Sequence, residues 1–219
     1  MARVRAKVDS GEGKRIEALE AEIERLKAEL GMLRDTEEVS KLQRIYGYYL
    51  DKRLWDQIID LFSDDCSIEI AGAGVYLGKK GARTRFIDML GRGKTGLKPG
   101  QLYNHLQLQG VVNIDQDGKT AKGRWRALEM IGQWGEEQYW GEGTYENEYV
   151  KEDGKWKFKK MVFYSGLYAF YEDGWAKSKR PMTGINKQFP PDLPPSTDYR
   201  QYPDLFIPPF HYKNPVSGK

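Results

Sequence analysis

The chain has 219 residues, a length that allows one well-buried domain with appendages but not two full-sized domains. Its 35 lysines and arginines exceed its 32 acidic residues by only three and form no basic stripe interleaved with aromatics, so we expect no nucleic-acid partner. A single cysteine, Cys66, excludes an intrachain disulfide, and no signal peptide or long apolar run is evident, so we expect a soluble, cytoplasmic protein without a membrane partner.

The N-terminal part of the chain divides into two segments. Residues 1–14 are polar and contain glycine, which predicts a disordered tail. Residues 15–34 predict an amphipathic, coiled-coil-like helix, because apolar residues recur at alternating steps of three and four between charged ones. This helix either lies on its own domain or associates with other copies of the chain. In the second case, its isoleucine and leucine positions favour a two-stranded coiled coil. The apolar seam consists of Ile16, Leu19, Ile23, Leu26, Leu30 and Leu33.

The main domain is predicted over residues 35–172 and begins with a second helix. Gly31 and Asp35 interrupt the seam, and Asp35 with Glu38 forms a capping-box-like start. Residues 51–53 predict a bend between two helices. The stretch "SDDCSIEI" then predicts a strand, and "VYLGKKGARTRFIDML" predicts a short strand followed by a helix.

Long strands with short turns fill the rest of this domain, and Asp-Gly pairs between them are typical of antiparallel hairpins. Helices followed by such strands favour an α+β layout, in which a strongly curved antiparallel sheet carries helices over its concave face. The Pro- and Tyr-rich segment 173–219 cannot continue a sheet, so we expect it to wrap a surface. The strands are predicted at 101–114, 119–134, 138–151 and 155–171.

One face of the strand at 101–114 carries hydrogen-bonding side chains at every second position. Buried polar groups need partners, so we expect this face to line a cavity and the alternating leucines to face outward. Aromatic residues make up 13% of the chain, which favours a pocket for a ring-bearing ligand. The polar residues are Tyr103, His105, Gln107 and Gln109, and the leucines are Leu102, Leu106 and Leu108.

Three stretches, "YYLDKRLWDQIIDLFSDDCSIEI", "NHLQLQGVVNIDQDGKTAKGRWRAL" and "YENEYVKEDGKWKFKKMVFY", together resemble the SnoaL-like family of the nuclear-transport-factor-2-like superfamily. The resemblance covers residues 37–165 and implies a cone-shaped α+β barrel. Within the superfamily the chain also resembles the scytalone dehydratases, which are trimers that eliminate water without metal or cofactor. Their acidic pocket residue matches Asp51, their catalytic histidine matches His105, and a pocket asparagine matches Tyr145. Their second pocket histidine has no counterpart, because residues 123–131 contain none.

The chain is also similar to the bacterial diarylpropane lyases of lignin-dimer breakdown, through its long helical start and its Pro/Tyr-rich tail. This resemblance implies a cofactor-free reaction that releases formaldehyde and leaves a stilbene. It makes an aromatic small molecule the expected ligand. A homo-oligomer is also expected, with a trimer favoured by the dehydratase resemblance and a dimer possible.

The candidate catalytic residues are chosen for proton transfer and oxyanion stabilisation. A histidine ionises near neutral pH, and a carboxylate or tyrosine beside it can orient it or share its proton. Each residue also has an ordinary explanation: Asp51 as a helix cap, the aromatics as core, and Arg83 and Arg85 as a solvated helix face that could bind an anionic group. The catalytic candidates are His105, Asp51, Tyr49 and Tyr103. The substrate-binding candidates are Tyr48, Asn104, Gln107, Trp125, Glu129, Tyr145, Asn147 and Arg83.

Acid–base chemistry without a cofactor is the expected mechanism. The two histidines are far apart and no flavin, nicotinamide or haem signature appears, so we expect no metal and no cofactor. The favoured reaction is loss of a hydroxyl group and formaldehyde through a quinone methide. A dehydratase, an isomerase that uses Asp51 or Glu129 as the base, and a binding module without turnover remain alternatives. His211, in the tail, is a candidate lid residue.

Overall fold

A computed structural model describes residues 11–178 and 180–219, together with the helical backbone of residues 2–10. The helices are α1 (Ala2–Asp51), α2 (Trp55–Asp60), α3 (Gly78–Arg83), which continues into a π-helical segment (Thr84–Leu90), and α4 (Gly174–Lys177). The strands are β1 (Phe62–Ile70), β2 (Val75–Leu77), β3 (Gln101–Ile114), β4 (Thr120–Gln133), β5 (Gln138–Glu152) and β6 (Lys155–Phe170).

The six strands form one curved sheet in the order β2-β1-β6-β5-β4-β3. Strands β3 to β6 pair as consecutive antiparallel hairpins, close to the predicted bounds, because their residues alternate and Asp-Gly turns connect two of the pairs. One detail of the predicted fold, the fully antiparallel pairing of the sheet, is wrong. Strand β1 runs parallel to β6, which is possible because the four strands β2 to β5 and helix α3 separate the two in the chain. The curved sheet stays open between its edge strands β2 and β3, in agreement with the predicted cone with an open mouth.

Helix α1 is continuous over 50 residues, from Ala2 to Asp51. The predicted break at Gly31 and Asp35 does not occur, and the helix extends through the segment expected to be a tail, whose residue 1 lies outside the described residues. A glycine inside an exposed helix costs only about 1 kcal/mol relative to alanine, which favourable neighbouring turns can offset. The seam side chains from Ile16 to Leu33 are exposed, so they contact no other part of the described chain closely enough to be buried.

The core lies between the concave face of the sheet and the C-terminal half of α1. Helix residues at steps of three and four, such as Val39, Leu42 and Tyr46, are buried against inward-facing strand residues. A buried polar network joins the two layers: Gln43 accepts hydrogen bonds from Asn147 Nδ2 (3.0 Å) and the Tyr149 hydroxyl (2.8 Å). These bonds fix the position of α1 over the sheet, because each buried polar group has its partner in the other layer.

The C-terminal segment lies along the outer side of the sheet. Ser196 hydrogen-bonds to the buried Glu69 carboxylate, and the Tyr199 hydroxyl accepts the backbone N–H of Ser165 at 2.9 Å. His211 contacts Glu146 there, with 2.9 Å between Nδ1 and Oε2.

Within the described residues, no helix combines the length and the apolar character needed to cross a membrane.

Candidate active site

A cavity of about 350 Å³ lies at the open end of the concave face, between the sheet and the helices. This volume falls within the range of small-molecule sites in proteins. Its wall combines aromatic rings with a few charged groups. The lining residues that carry polar or charged side chains are Tyr46, Arg85, Tyr103, His105, Glu129, Tyr139, Tyr145, Tyr168, Arg180 and Thr183.

A histidine–carboxylate pair forms part of the sheet wall of this cavity. His105 on β3 and Glu129 on β4 are directly paired in the sheet, and both side chains point to the inner face. His105 Nε2 lies 3.4 Å from Glu129 Oε2, and both residues are buried. His105 Nδ1 is also buried and has no hydrogen-bond partner among the described residues. Such a pair can hold and transfer a proton, because the carboxylate stabilises the positive charge of a protonated imidazole.

Five tyrosines surround the pair and supply neutral hydrogen-bond donors. Burial is the main cause that raises the pKa of Tyr103 and Tyr46 above the ordinary tyrosine value, and the Glu129 charge raises them further. The pKa values of Tyr145 and Tyr168 rise well above it for the same reasons. These hydroxyl groups therefore stay protonated at neutral pH and can donate to an oxygen of a bound molecule.

Two arginines line other parts of the cavity. Arg85, in the π-helical segment, is only 2% exposed, and burial lowers the pKa of its guanidinium from the ordinary value. Arg180 lies at the mouth, with its guanidinium 3.7 Å from the ring centre of Tyr139 and a salt bridge of 3.1 Å to Glu137. The C-terminal segment contributes Arg180 to Thr183 to the lining of the cavity, so this segment covers the cavity of its own chain.

Four of the predicted site residues line this cavity: Tyr103, His105, Glu129 and Tyr145. Asp51 does not. Its carboxylate accepts the backbone N–H of His105 at 2.6 Å, because β3 is an edge strand whose outward amides lack a strand partner. Asp51 therefore holds the backbone at His105 and does not touch the imidazole. Gly47 permits this close approach of α1, since a side-chain carbon there would lie 2.7 Å from Gln107.

The remaining predicted residues lie away from the cavity. Tyr48 is exposed, Tyr49 packs against the core, and Arg83 is exposed beside Asp56. Asn104 is absent from the lining because it alternates with His105. Three other residues, Gln107, Trp125 and Asn147, belong to the hydrogen-bonded network around Gln43 beneath α1.

Several lining residues were not among the predicted site residues. Tyr46, Tyr139, Tyr168 and Arg180 come from α1, β5, β6 and the C-terminal segment. Arg85 was expected on a solvated helix face, with binding of an anionic group as the alternative, and the structure buries it in the cavity wall. The alternation of β5 and β6 could have revealed two of the tyrosines. Gln109, expected on the inner face, lies at a bulge between Leu108 and Val111 and is exposed. In the described part of the chain, no cluster of three or more His, Cys, Asp or Glu residues could hold a metal ion.

The sequence of the chain matches a known family over most of the domain. The model of the SnoaL-like domain matches residues 20–162. The chain belongs to this SnoaL-like family. The resemblance seen in the sequence is thereby confirmed, together with the nuclear-transport-factor-2-like fold.

Several solved structures share this SnoaL-like fold. A Novosphingobium aromaticivorans protein provisionally named a scytalone dehydratase is 20% identical, with a TM-score of 0.55 over 64% of this chain and 90% of that one. A hexachlorocyclohexane dehydrochlorinase, LinA type 2, is 22% identical, with a TM-score of 0.55 over 65% and 92%. The LinA-type3 dehydrochlorinase of Novosphingobium barchaimii is 19% identical, with a TM-score of 0.55 over 65% and 93%. At these identities the likeness concerns the fold.

Proposed function

We propose that this SnoaL-like protein is a cofactor-independent lyase that acts on a hydroxylated aromatic molecule with two rings. The buried His105–Glu129 pair in the wall of a tyrosine-rich cavity carries the proposal. A proton donor, neutral hydroxyl donors and aromatic walls that exclude water are what an elimination without a cofactor requires. The favoured substrate is a diarylpropane-1,3-diol of the lignin-dimer kind, with a free phenol para to its benzylic carbon.

In the first step, protonated His105 donates its proton to the benzylic hydroxyl group. The carbon–oxygen bond breaks and water leaves. The para-phenol supplies an electron pair as its proton passes to solvent water, which gives a quinone methide. The Glu129 carboxylate stabilises the imidazolium before this transfer. Tyr103 and Tyr145, as neutral donors, can hold the substrate oxygens in place.

In the second step, the terminal hydroxyl group loses its proton to the now neutral His105. The bond between the terminal carbon and its neighbour breaks, formaldehyde leaves, and the electron pair restores the aromatic ring. The overall change is diarylpropane diol to stilbene, water and formaldehyde. Return of the phenol proton restores the starting state, and no oxidant or reductant is consumed.

Dehydration is the second candidate reaction, because the same first step serves it. If His105 removes the carbon-bound proton next to the benzylic centre, the product retains all its carbons and only water is lost. An isomerase that uses a carboxylate base is a third candidate, and its base is Glu129, since Asp51 does not reach the cavity. In that case Glu129→Gln abolishes activity and His105→Ala leaves it largely intact.

Product analysis separates these candidates. The purified protein, treated with chelator, is incubated with the erythro diol bearing a free para-phenol and, in parallel, with its phenol methyl ether. We expect stilbene absorbance and equimolar formaldehyde from the phenol and neither from the ether, because the ether cannot form the quinone methide. A dehydrated product with all carbons would replace the lyase by a dehydratase. Unchanged substrate that nevertheless raises the Tm would indicate binding without turnover.

A further inference from the structure

Arg85 is a buried cation without a salt-bridge partner among the described residues. It is 2% exposed and lines the cavity, its Nε has no hydrogen-bond partner among the described residues, and no described carboxylate lies within the 4 Å that defines a salt bridge. Its neighbour Arg83 is exposed and lies 3.4 Å from the Asp56 carboxylate. The two arginines therefore differ in that the buried one is unpaired and the exposed one is paired.

An unpaired guanidinium at this depth is unfavourable for folding, because it loses water without gaining a counter-charge. The groups near Arg85 do not neutralise it. Burial raises the pKa of Tyr46, Tyr103 and Tyr168, so these hydroxyl groups stay protonated and carry no charge. All three are close enough to Arg85 and to Glu129 for both charges to affect their pKa. When His105 is protonated, the His105–Glu129 pair is neutral. Arg180 is paired with Glu137, so Arg85 leaves one uncompensated positive charge in the cavity.

The chemistry of a guanidinium specifies what can complete this site. Its planar fork of N–H donors matches the oxygens of a carboxylate, phosphate or phenolate, and it stays charged at any physiological pH. Rings line the cavity around it, so an aromatic ion fits the walls better than an inorganic one. The His105–Glu129 pair is on the sheet and Arg85 is on the helical layer, so one ligand can contact both.

We infer that the cavity binds its aromatic ligand as an anion, with the anionic oxygen on the Arg85 guanidinium. The identity of that oxygen rests on the proposed function: it is the phenolate that supplies the electron pair for the quinone methide. Arg85 then favours loss of the phenol proton, which the first step requires. A carboxylate on the aromatic ring could also accept hydrogen bonds from the guanidinium. Binding of a phenol and of a benzoate, measured separately, distinguishes these two anions.

Equilibrium binding tests this inference without any turnover, so failure of the proposed reaction leaves it intact. The probes are 4-nitrophenol, 4-nitrobenzoate and the neutral 4-nitroanisole, which share a nitro-aromatic ring. With 4-nitrophenol, at a pH below the pKa of the free ligand, we expect the wild-type protein to generate the phenolate absorbance band. Arg85→Gln should weaken nitrophenolate binding by about 10- to 100-fold, the range for hydrogen bonds to charged groups, and should leave nitroanisole binding unchanged.

Arg83→Gln is the matched control, because it removes an exposed, paired arginine from the same helix. Arg85→Lys keeps the charge and loses the fork, so intermediate binding is expected, and this variant also serves if Arg85→Gln does not fold. Arg85-dependent binding of nitrophenolate supports the inference as stated. Arg85-dependent binding of nitrobenzoate alone would overturn the phenolate assignment. Equal affinity for nitroanisole and nitrophenolate, or equal losses in both glutamine variants, would overturn the anion site.

Discussion

Replacement of Arg85 by methionine should stabilise the unliganded protein. Methionine has a similar length and is apolar, so it keeps most of the contacts made by the arginine side chain. Among the described residues the guanidinium has no salt bridge to lose, whereas its burial costs several kcal/mol after relaxation. Replacing even a paired set of buried charges by apolar groups of similar volume is often neutral or stabilising by about 1–4 kcal/mol. Because the guanidinium borders a cavity of about 350 Å³, water can reach part of it, and we expect about 1–2 kcal/mol.

Urea denaturation and thermal melting of wild type and Arg85→Met measure this difference directly. In a chain of this length, each kcal/mol corresponds to a rise in Tm of about 2–4 °C. The control, Arg83→Met, removes an exposed side chain and should change the free energy of unfolding by less than about 0.5 kcal/mol. A loss of more than about 1 kcal/mol in Arg85→Met would show that the buried guanidinium stabilises the fold and is not an unfavourable unpaired charge.

Four further predictions concern other parts of the chain. Glu129→Gln keeps the shape of the site but removes the charge beside His105, so kcat measured by stilbene release should fall by about 10²- to 10⁴-fold; an unchanged kcat would contradict the assigned role. Asp51→Ala leaves the His105 amide without its acceptor and should lower the free energy of unfolding in urea by about 1–3 kcal/mol, and Asp51→Asn should recover most of it. We expect the exposed seam of α1 to pair with further copies of the chain, since an isolated helix is marginal in water, so Ile23→Lys should lower the mass found by sedimentation velocity. Burial raises the pKa of Cys66 to about 11, so its thiolate is scarce at neutral pH; iodoacetamide should label it only after unfolding, or as the pH approaches that value.

The strands could be predicted from the sequence because their signals are local. Alternation of residue type and the turns at Asp117–Gly118 and Asp153–Gly154 together set the bounds of β3 to β6. The parallel pairing of β1 with β6 could not be predicted this way, since it depends on contacts between distant segments. The interruption of the α1 seam at Gly31 was misleading, because one glycine weakens a helix without ending it.

The sheet side of the candidate site could also be predicted, and the helix side could not. Tyr103, His105, Glu129 and Tyr145 share one face through the two-residue period of strands, and the structure places all four in the cavity wall. Two residues that are two positions apart on a helix point in directions about 200° apart around its axis, so Arg83 and Arg85 face different surroundings. Which of two arginines is buried depends on tertiary packing, and a charged residue gives no local signal of burial.

The most direct test of the acid–base role is chemical rescue of His105→Ala with free imidazole. The assay follows stilbene and formaldehyde from the erythro diol with the free phenol, in the variant with and without imidazole and in the wild type. We expect the variant to lose turnover by at least about 10²-fold and imidazole to restore it in a saturable manner, because imidazole can occupy the space left beside Glu129. Wild-type turnover in His105→Ala without imidazole would show that another group transfers the proton, and the mechanism centred on His105 would be wrong.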